Sequence, residues 1–213
     1  WSTFVMKTQL PSPILEKMLK ITDEIIVNTK SLEAGLTGSG QMKDEFYVDP
    51  EIFNREGLME FFLNQIKQFV KLSSLQTSIS EKQKERILND KWYAKIGATW
   101  IISMKDHEYQ PIHAHSGSHI SSVMYLKIPE YLPSINPTQN QDGAITFISP
   151  LGQGSMTIQP EVGDFFLFPA TQQHLVYPFR TADGKGERRS VSFNAIFSNK
   201  TEQDRYEKQQ RIQ

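Results

Sequence analysis

Between Trp92 and Ser198 the chain breaks into eight short β-like runs, near residues 93–104, 111–115, 119–128, 144–149, 154–159, 164–168, 173–179 and 188–198. Gly, Pro and Asn separate them. Short strands at this close spacing suit an antiparallel sandwich or jelly roll rather than a parallel sheet, whose crossovers need a dozen or more residues each. The segment 130–143, with Pro133, Asn136, Pro137, Asn140 and Gly143, reads as a long polar loop, and 180–187 reads as the turn into the last strand.

The first ninety residues carry a different period and read as mostly helical. Ser12-Pro13 is a favourable helix start, and Ile14, Met18, Ile21, Ile25 and Ile26 keep helical spacing to about Asn28. Leu58, Phe61, Phe62, Ile66, Phe69 and Val70 mark the apolar face of a second helix, and a more polar third helix is expected over 79–90. Residues 31–43 read as a loop. Gly35, Gly38 and Gly40 there imitate a phosphate loop only weakly, since no strand precedes them and no Gly-Lys-Ser/Thr follows.

The 213 residues suffice for one sizeable core, so one domain is expected over 1–198, with 1–90 as helical support, 91–198 as the β core and 199–213 as a charged tail. Lys and Arg number 23 against 24 Asp and Glu, which leaves no footprint for nucleic acid or an anionic membrane. The absence of cysteine excludes disulfides, thiolate catalysis and Cys-ligated metals. No apolar run reaches the length of a membrane span, and no signal peptide is evident, so a cytoplasmic location is the expectation. The sequon Asn199-Lys200-Thr201 carries no weight without a secretory signal.

Chemistry concentrates in the histidines. Of five in the chain, His113 and His115 are one residue apart, and His174 follows the Gly163-Asp164…Phe168-Pro169 segment. Side chains two apart leave the same face of a strand, so His113 and His115 can converge on one ion, and a third imidazole from a distant strand completes a facial set. Two or three imidazoles with open positions suit iron, copper, nickel or zinc, and three protein ligands point to catalysis rather than structure. The plainer alternative is a pair of solvated histidines at a strand end. His119 could be a fourth ligand or a surface residue, and His107 reads as part of a loop. In the last run Arg188, Ser190, Ser192 and Asn194 share one face, while Val191 and Phe193 share the other. A polar face on an interior strand needs a ligand or water, and an Arg beside a Ser hydroxyl makes a good carboxylate clamp. An edge Arg paired with Glu187 or Asp183 is the alternative.

These residues resemble the 2-oxoglutarate- and Fe(II)-dependent oxygenases, whose pattern is HxD, a long gap, a second His, then an Arg ahead of a small hydroxyl residue. Ser121 to Lys127 resembles the strand after the HxD motif in prolyl-hydroxylase-like members. The His113-Ala114-His115 start and the Arg188-to-Asn194 end are similar to a small bacterial and phage branch of oxygenases. The likeness covers about residues 95–198. It implies an α+β, mainly β fold, a double-stranded β-helix (jelly roll, cupin-like) with N-terminal helices packed against it. It also implies Fe(II), 2-oxoglutarate and O2 as cofactor and co-substrates. His113 and His174 would be iron ligands, with His115 standing where the wider family has Asp. Arg188 and Ser190 would hold the distal carboxylate of 2-oxoglutarate with a hydrogen bond from Tyr125, and Ser121 and Ser192 would line the same pocket. The reaction expected is hydroxylation of a substrate with release of succinate and CO2, with a protein or peptide side chain favoured over a small metabolite. A cupin-like oxygenase or isomerase that does not use 2-oxoglutarate, or a jelly roll without catalysis, are the alternatives.

Overall fold

The computed structural model describes residues 4–30, 42–76, 80–89, 91–149 and 154–200. The elements in chain order are β1 (Met6–Gln9), α1 (Ser12–Asn28), β2 (Glu45–Val48), α2 (Glu51–Arg55), α3 (Met59–Leu75), α4 (Glu81–Asn89), β3 (Trp92–Met104), β4 (Gln110–His113), β5 (Ile120–Lys127), β6 (Ile145–Ile148), β7 (Ser155–Ile158), β8 (Asp164–Pro169), β9 (His174–Val176) and β10 (Arg188–Asn199). Two sheets result, a major one in the order β1-β8-β5-β10-β3-β2 and a minor one in the order β4-β9-β6-β7, every pairing antiparallel. Strands β3 to β10 alternate between the sheets except at the β6–β7 hairpin, which lies wholly in the minor sheet, so the fold is the expected double-stranded β-helix.

The major sheet is buried on both faces, which explains its nearly unbroken apolar runs. In β8, Phe165 and Leu167 enter the core shared with the helices, while Phe166 and Phe168 enter the core between the sheets. Helix α1 buries Met18 and Ile21, and α3 buries Phe62, Ile66, Phe69 and Val70, against the outer face of the same sheet. Full burial of a side chain such as Phe62 contributes about 1.5–3 kcal/mol. Among the described residues no helix is long and apolar enough to cross a membrane.

The front part is less purely helical than the sequence suggests. Strands β1 and β2 form both edges of the major sheet, β1 along Asp164–Leu167 and β2 along Thr99–Ile102. Each has only four residues, so its structure is decided by pairing with a distant strand and not by local period. Strand β9 stops at Val176 rather than continuing to 179, because Pro178 has no N–H to give the ladder. Strand β4 stops at His113 rather than at 115. The glycines at 35, 38 and 40 and the tail from 201 onward lie outside the described residues.

A register shift between β10 and β3, at Phe193/Ala195 opposite Thr99/Ile96, breaks simple alternation in β3. Ile96 and Ile101 both face the helices, although their numbers differ by an odd step, while Ala98, Trp100 and Ile102 face the space between the sheets. An extra residue in one strand produces this reversal. It delivers the Trp100 ring to the mouth of the cavity described next.

Candidate metal and co-substrate site

All eight residues singled out in the sequence line one cavity of about 330 Å³ between the sheets: His113, His115, Ser121, Tyr125, His174, Arg188, Ser190 and Ser192. Lining residues Tyr47, Ala98 and Ala114 are exposed and mark its mouth; Tyr125, Phe168 and Arg188 are buried and make its floor.

His113 and His174 stand directly opposite each other on β4 and β9, with ring centroids 4.2 Å apart. His115 lies beyond the end of β4 and reaches the same place by another route. Its N–H donates to the Ala170 carbonyl at 2.8 Å, which fastens the loop after β4 to the turn before β9. Its ring then sits 5.3 Å from that of His113 and 5.4 Å from that of His174. One nitrogen from each of the three rings falls within 4.8 Å of the others, so this trio could hold a metal ion.

The tautomers support that use. Nδ1 of His113 is 2.8 Å from the Pro111 carbonyl, and Nδ1 of His174 is 2.9 Å from the Gln172 carbonyl. A carbonyl only accepts, so both Nδ1 atoms carry the proton and both Nε2 atoms keep a lone pair for a ligand. Gln172 in turn donates from Nε2 to the Ile148 and Gln173 carbonyls at 2.7 and 2.8 Å, bracing the turn that aims His174. Burial lowers the pKa of all three imidazoles. His115 falls to about 4 and His174 to about 3, in each case by desolvation first and the neighbouring His113 second. Neutral imidazole is the ligating form.

His119 and His107 are elsewhere. His119 Nδ1 accepts the Phe197 N–H at 3.2 Å and its ring packs 5.0 Å from that of Phe197, on the outside of β10. His107 sits in a turn at φ 63° and donates its N–H to the Phe179 carbonyl.

The other end of the cavity is built around Arg188, which is 1% exposed. Its guanidinium lies 4.7 Å over the Tyr125 ring, and Nη1 approaches Met104 Sδ at 3.5 Å. Nε and Nη2 are buried with no hydrogen-bond partner, and so are Tyr125 Oη, Ser121 Oγ and Tyr131 Oη. Burial raises the pKa of both phenols while the Arg188 charge works against it, so they remain neutral donors. Buried polar groups without partners are rare in folded proteins, and several together at the floor of a cavity fit an anionic ligand that accepts from them. Glu187 does not neutralise Arg188. It pairs with Arg189 on the opposite face of β10, where Arg189 also holds Asp23 of α1.

Sequence reasoning missed several members of this site. Tyr131, from the 130–143 loop, approaches Arg188, and the loop is tied to the 180–187 turn by the Leu132 N–H to the Arg180 carbonyl at 2.8 Å. The two segments thus lie together, with Tyr131 facing Arg188 from outside the cavity lining. Glu45, Tyr47, Trp100 and Gln110 line the cavity itself. Tyr131 carries no local signal, and Glu45 and Tyr47 belong to a strand that the sequence did not reveal.

A family model described as "Putative 2OG-Fe(II) oxygenase" matches residues 98–194, from the mouth of the cavity to the middle of its Arg188 strand. Among curated proteins none matches this sequence. Among solved structures, a prolyl-4-hydroxylase of Pseudomonas putida is similar with TM-score 0.56 and 13% identity, covering 92% of this chain and 93% of its own. The viral collagen prolyl hydroxylase of Paramecium bursaria Chlorella virus-1, solved with 2-oxoglutarate, gives 0.53 and 13% over 91% and 96%. HygX of Streptomyces hygroscopicus, solved with nickel and 2-oxoglutarate, gives 0.56 and 10% over 92% and 83%. At these identities the likeness is one of fold.

Proposed function

We infer that this chain, whose residues 98–194 match a family model described as "Putative 2OG-Fe(II) oxygenase", is a 2-oxoglutarate- and Fe(II)-dependent dioxygenase that hydroxylates a substrate and releases succinate and CO2. One observation carries the reading. A buried arginine with two unpartnered nitrogens and three clustered imidazoles share a single cavity. That is the complement of a ligand with a carboxylate at one end and a metal-chelating group at the other.

His113, His115 and His174 would hold iron(II) through nitrogen. Arg188 and Ser190 would take the distal carboxylate of 2-oxoglutarate, Tyr125 would add a phenolic hydrogen bond, and Ser121 and Ser192 would complete the polar wall. The bound metal and keto acid supply the activation of O2, which the ordinary side chains of the protein lack. The protein's own part is to bind, orient and keep water out. Carbonyls of Pro111 and Gln172 fix two imidazole tautomers, and Phe147 and Phe168 shield His174, which is 5% exposed. Residues 1–198 act as one oxygenase domain in this reading, because α1 and α3 pack on the outer face of the strand that presents Arg188. A protein or peptide side chain as substrate, a cytoplasmic location, and kinship with the bacterial and phage branch belong to the same proposal.

The test is two measurements on protein loaded with iron(II) under anaerobic conditions. Calorimetry should register binding of 2-oxoglutarate, and admission of O2 should then convert it to succinate. Protein that binds iron but neither binds the keto acid nor forms succinate would refute the proposal. A cupin-like site using His119 as a fourth ligand finds no support, since the Nδ1 of His119 is committed to the Phe197 N–H.

A further inference from the structure

On one side of the Arg188 strand the cavity wall continues onto β3 and then onto the edge strand β2. Across the major sheet, Glu45 pairs with Ile102 and Ile102 with Ser190, while in the next row Tyr47 pairs with Trp100 and Trp100 with Ser192. Alternation sends Phe46 and Val48 to the core beneath the helices, and Glu45 and Tyr47 to the cavity. Ser190 and Ser192 belong to the co-substrate half. Glu45, Tyr47 and Trp100 line the cavity on the two strands beyond them, toward the β2 edge of the sheet.

That side has a distinct chemistry. Among the described residues Glu45 is the one carboxylate lining the cavity, and it is 6% exposed. Two electron-rich rings stand beside it, Tyr47 at the mouth and Trp100, whose ring lies 5.5 Å from that of His115. A buried carboxylate sharing a cavity wall with Tyr and Trp is an arrangement that can recognise a cation, by charge-assisted hydrogen bonds to the carboxylate and by attraction to the aromatic rings. We infer that the primary substrate carries a primary amine or guanidinium group, which docks between Glu45 and the rings of Tyr47 and Trp100. The inference rests on the oxygenase reading and specifies its substrate class. Diagonal neighbours across a sheet stand about 7–8 Å apart, so a cation at Glu45 lies roughly one long side chain away from the imidazole trio beyond Trp100. The carbon to be hydroxylated is then separated from the cation by a spacer of lysine or arginine length.

The experiment uses the iron(II)- and 2-oxoglutarate-loaded protein. Its probes are lysine, arginine, norleucine and citrulline, each as the free Nα-acetyl amide and each at the centre of a blocked alanine-glycine pentapeptide. Calorimetry under anaerobic conditions reads affinity, and succinate after admission of O2 reads stimulated turnover. Cationic probes should bind at least tenfold more tightly than their neutral partners. Preference within the peptide set places the cation on a side chain, and preference within the free set places it on a small molecule. Glu45→Gln should reduce the discrimination to threefold or less while leaving 2-oxoglutarate affinity within twofold of the parent. Equal binding of neutral and cationic probes, no binding of any cationic probe, or an undiminished preference in Glu45→Gln would each overturn the inference. Loss of 2-oxoglutarate binding in the parent would instead refute the oxygenase reading itself.

Discussion

Replacing Arg188 with Met should change stability and co-substrate affinity in opposite directions. In the structure the guanidinium is buried without a carboxylate partner, and Nε and Nη2 make no hydrogen bond. A stranded buried donor costs about 1–3 kcal/mol, and the cation–π contact with Tyr125 returns about 0.5–2 kcal/mol. Methionine fills most of the same volume and suits the neighbouring Met104 and Tyr125. The variant without co-substrate should therefore be about 1–3 kcal/mol more stable than the parent, a rise in Tm of roughly 2–12 °C for a chain of this size. Removing two charge-assisted hydrogen bonds from 2-oxoglutarate should cost about 3–6 kcal/mol, so its Kd should weaken by about 10² to 10⁴-fold. Thermal unfolding of the metal-free protein reads the first effect, and calorimetry of the iron(II)-loaded protein reads the second. A variant destabilised by more than about 2 kcal/mol would show that Arg188 has a partner in the folded chain. One that binds the keto acid within threefold of the parent would refute the clamp.

Three further outcomes follow from the same geometry. His174→Ala should abolish stoichiometric metal binding, whereas His119→Ala should keep it, as measured by metal content after reconstitution and desalting; loss of metal in His119→Ala would restore a four-histidine site. Nickel(II) affinity should hold from pH 8 down to about 5.5, because burial keeps His115 and His174 neutral far below the usual value of 6.5, and a fall centred on 6.5 would contradict this. The unfolded chain binds those protons first, so the stability of the metal-free protein should decline as pH drops from 6.5 toward 4. Glu187→Gln should lower stability by roughly 1–3 kcal/mol at neutral pH, because it leaves the 5%-exposed Arg189 side chain with Asp23 as its one carboxylate beside the Thr22 hydroxyl. Burial would raise the Glu187 carboxyl, but bonds from Arg189 and Ser103 outweigh it and hold the group below its ordinary range. Its contribution is thus present above about pH 4.5 and lost as pH falls through the lowered value, and urea titrations from pH 7 to 3 should show a shallower acid loss in the variant.

The β core and its polar face were legible because both obey local rules. Strand β10 alternates strictly from Arg188 to Phe193, so the clamp face and the core face separate on paper as they do in space. His113 and His174 were legible as residues, but their direct pairing across β4 and β9 comes from long-range register. His115 reaches the trio although β4 ends before it, and the agent is the hydrogen bond to Ala170, a contact between residues 55 apart that no period encodes. Strands β1 and β2 were invisible for a related reason. Four residues cannot display an alternation that survives comparison with helical spacing, and their partners β8 and β3 supply the hydrogen bonds that make them strands. With β2 went Glu45 and Tyr47, so the part of the cavity proposed to meet the substrate could not be read from sequence.

His115 and Glu45 have to be considered together. In the HxD pattern of the 2-oxoglutarate-dependent oxygenases the carboxylate cancels one unit of metal charge, and in the proposed site the neutral imidazole of His115 would stand in that place. A divalent metal, a dianionic keto acid and Arg188 would leave the cavity with one positive charge in excess, a field that opposes a cationic substrate. Glu45 brings a carboxylate into the same cavity. At about 8 Å and an effective dielectric constant near 20, one unit charge acts on another with about 2 kcal/mol, or roughly 30-fold in affinity. The carboxylate could therefore favour a cation through its field alone or by direct contact, and a second substitution separates the two. Restoring a carboxylate at the metal with His115→Asp in the Glu45→Gln background returns the missing negative charge, but on the far side of Trp100. Contact predicts that the double variant recovers 2-oxoglutarate turnover without recovering a tenfold preference for lysine over norleucine probes. Full recovery of that preference would make Glu45 a counter-charge to the metal and remove it from substrate recognition.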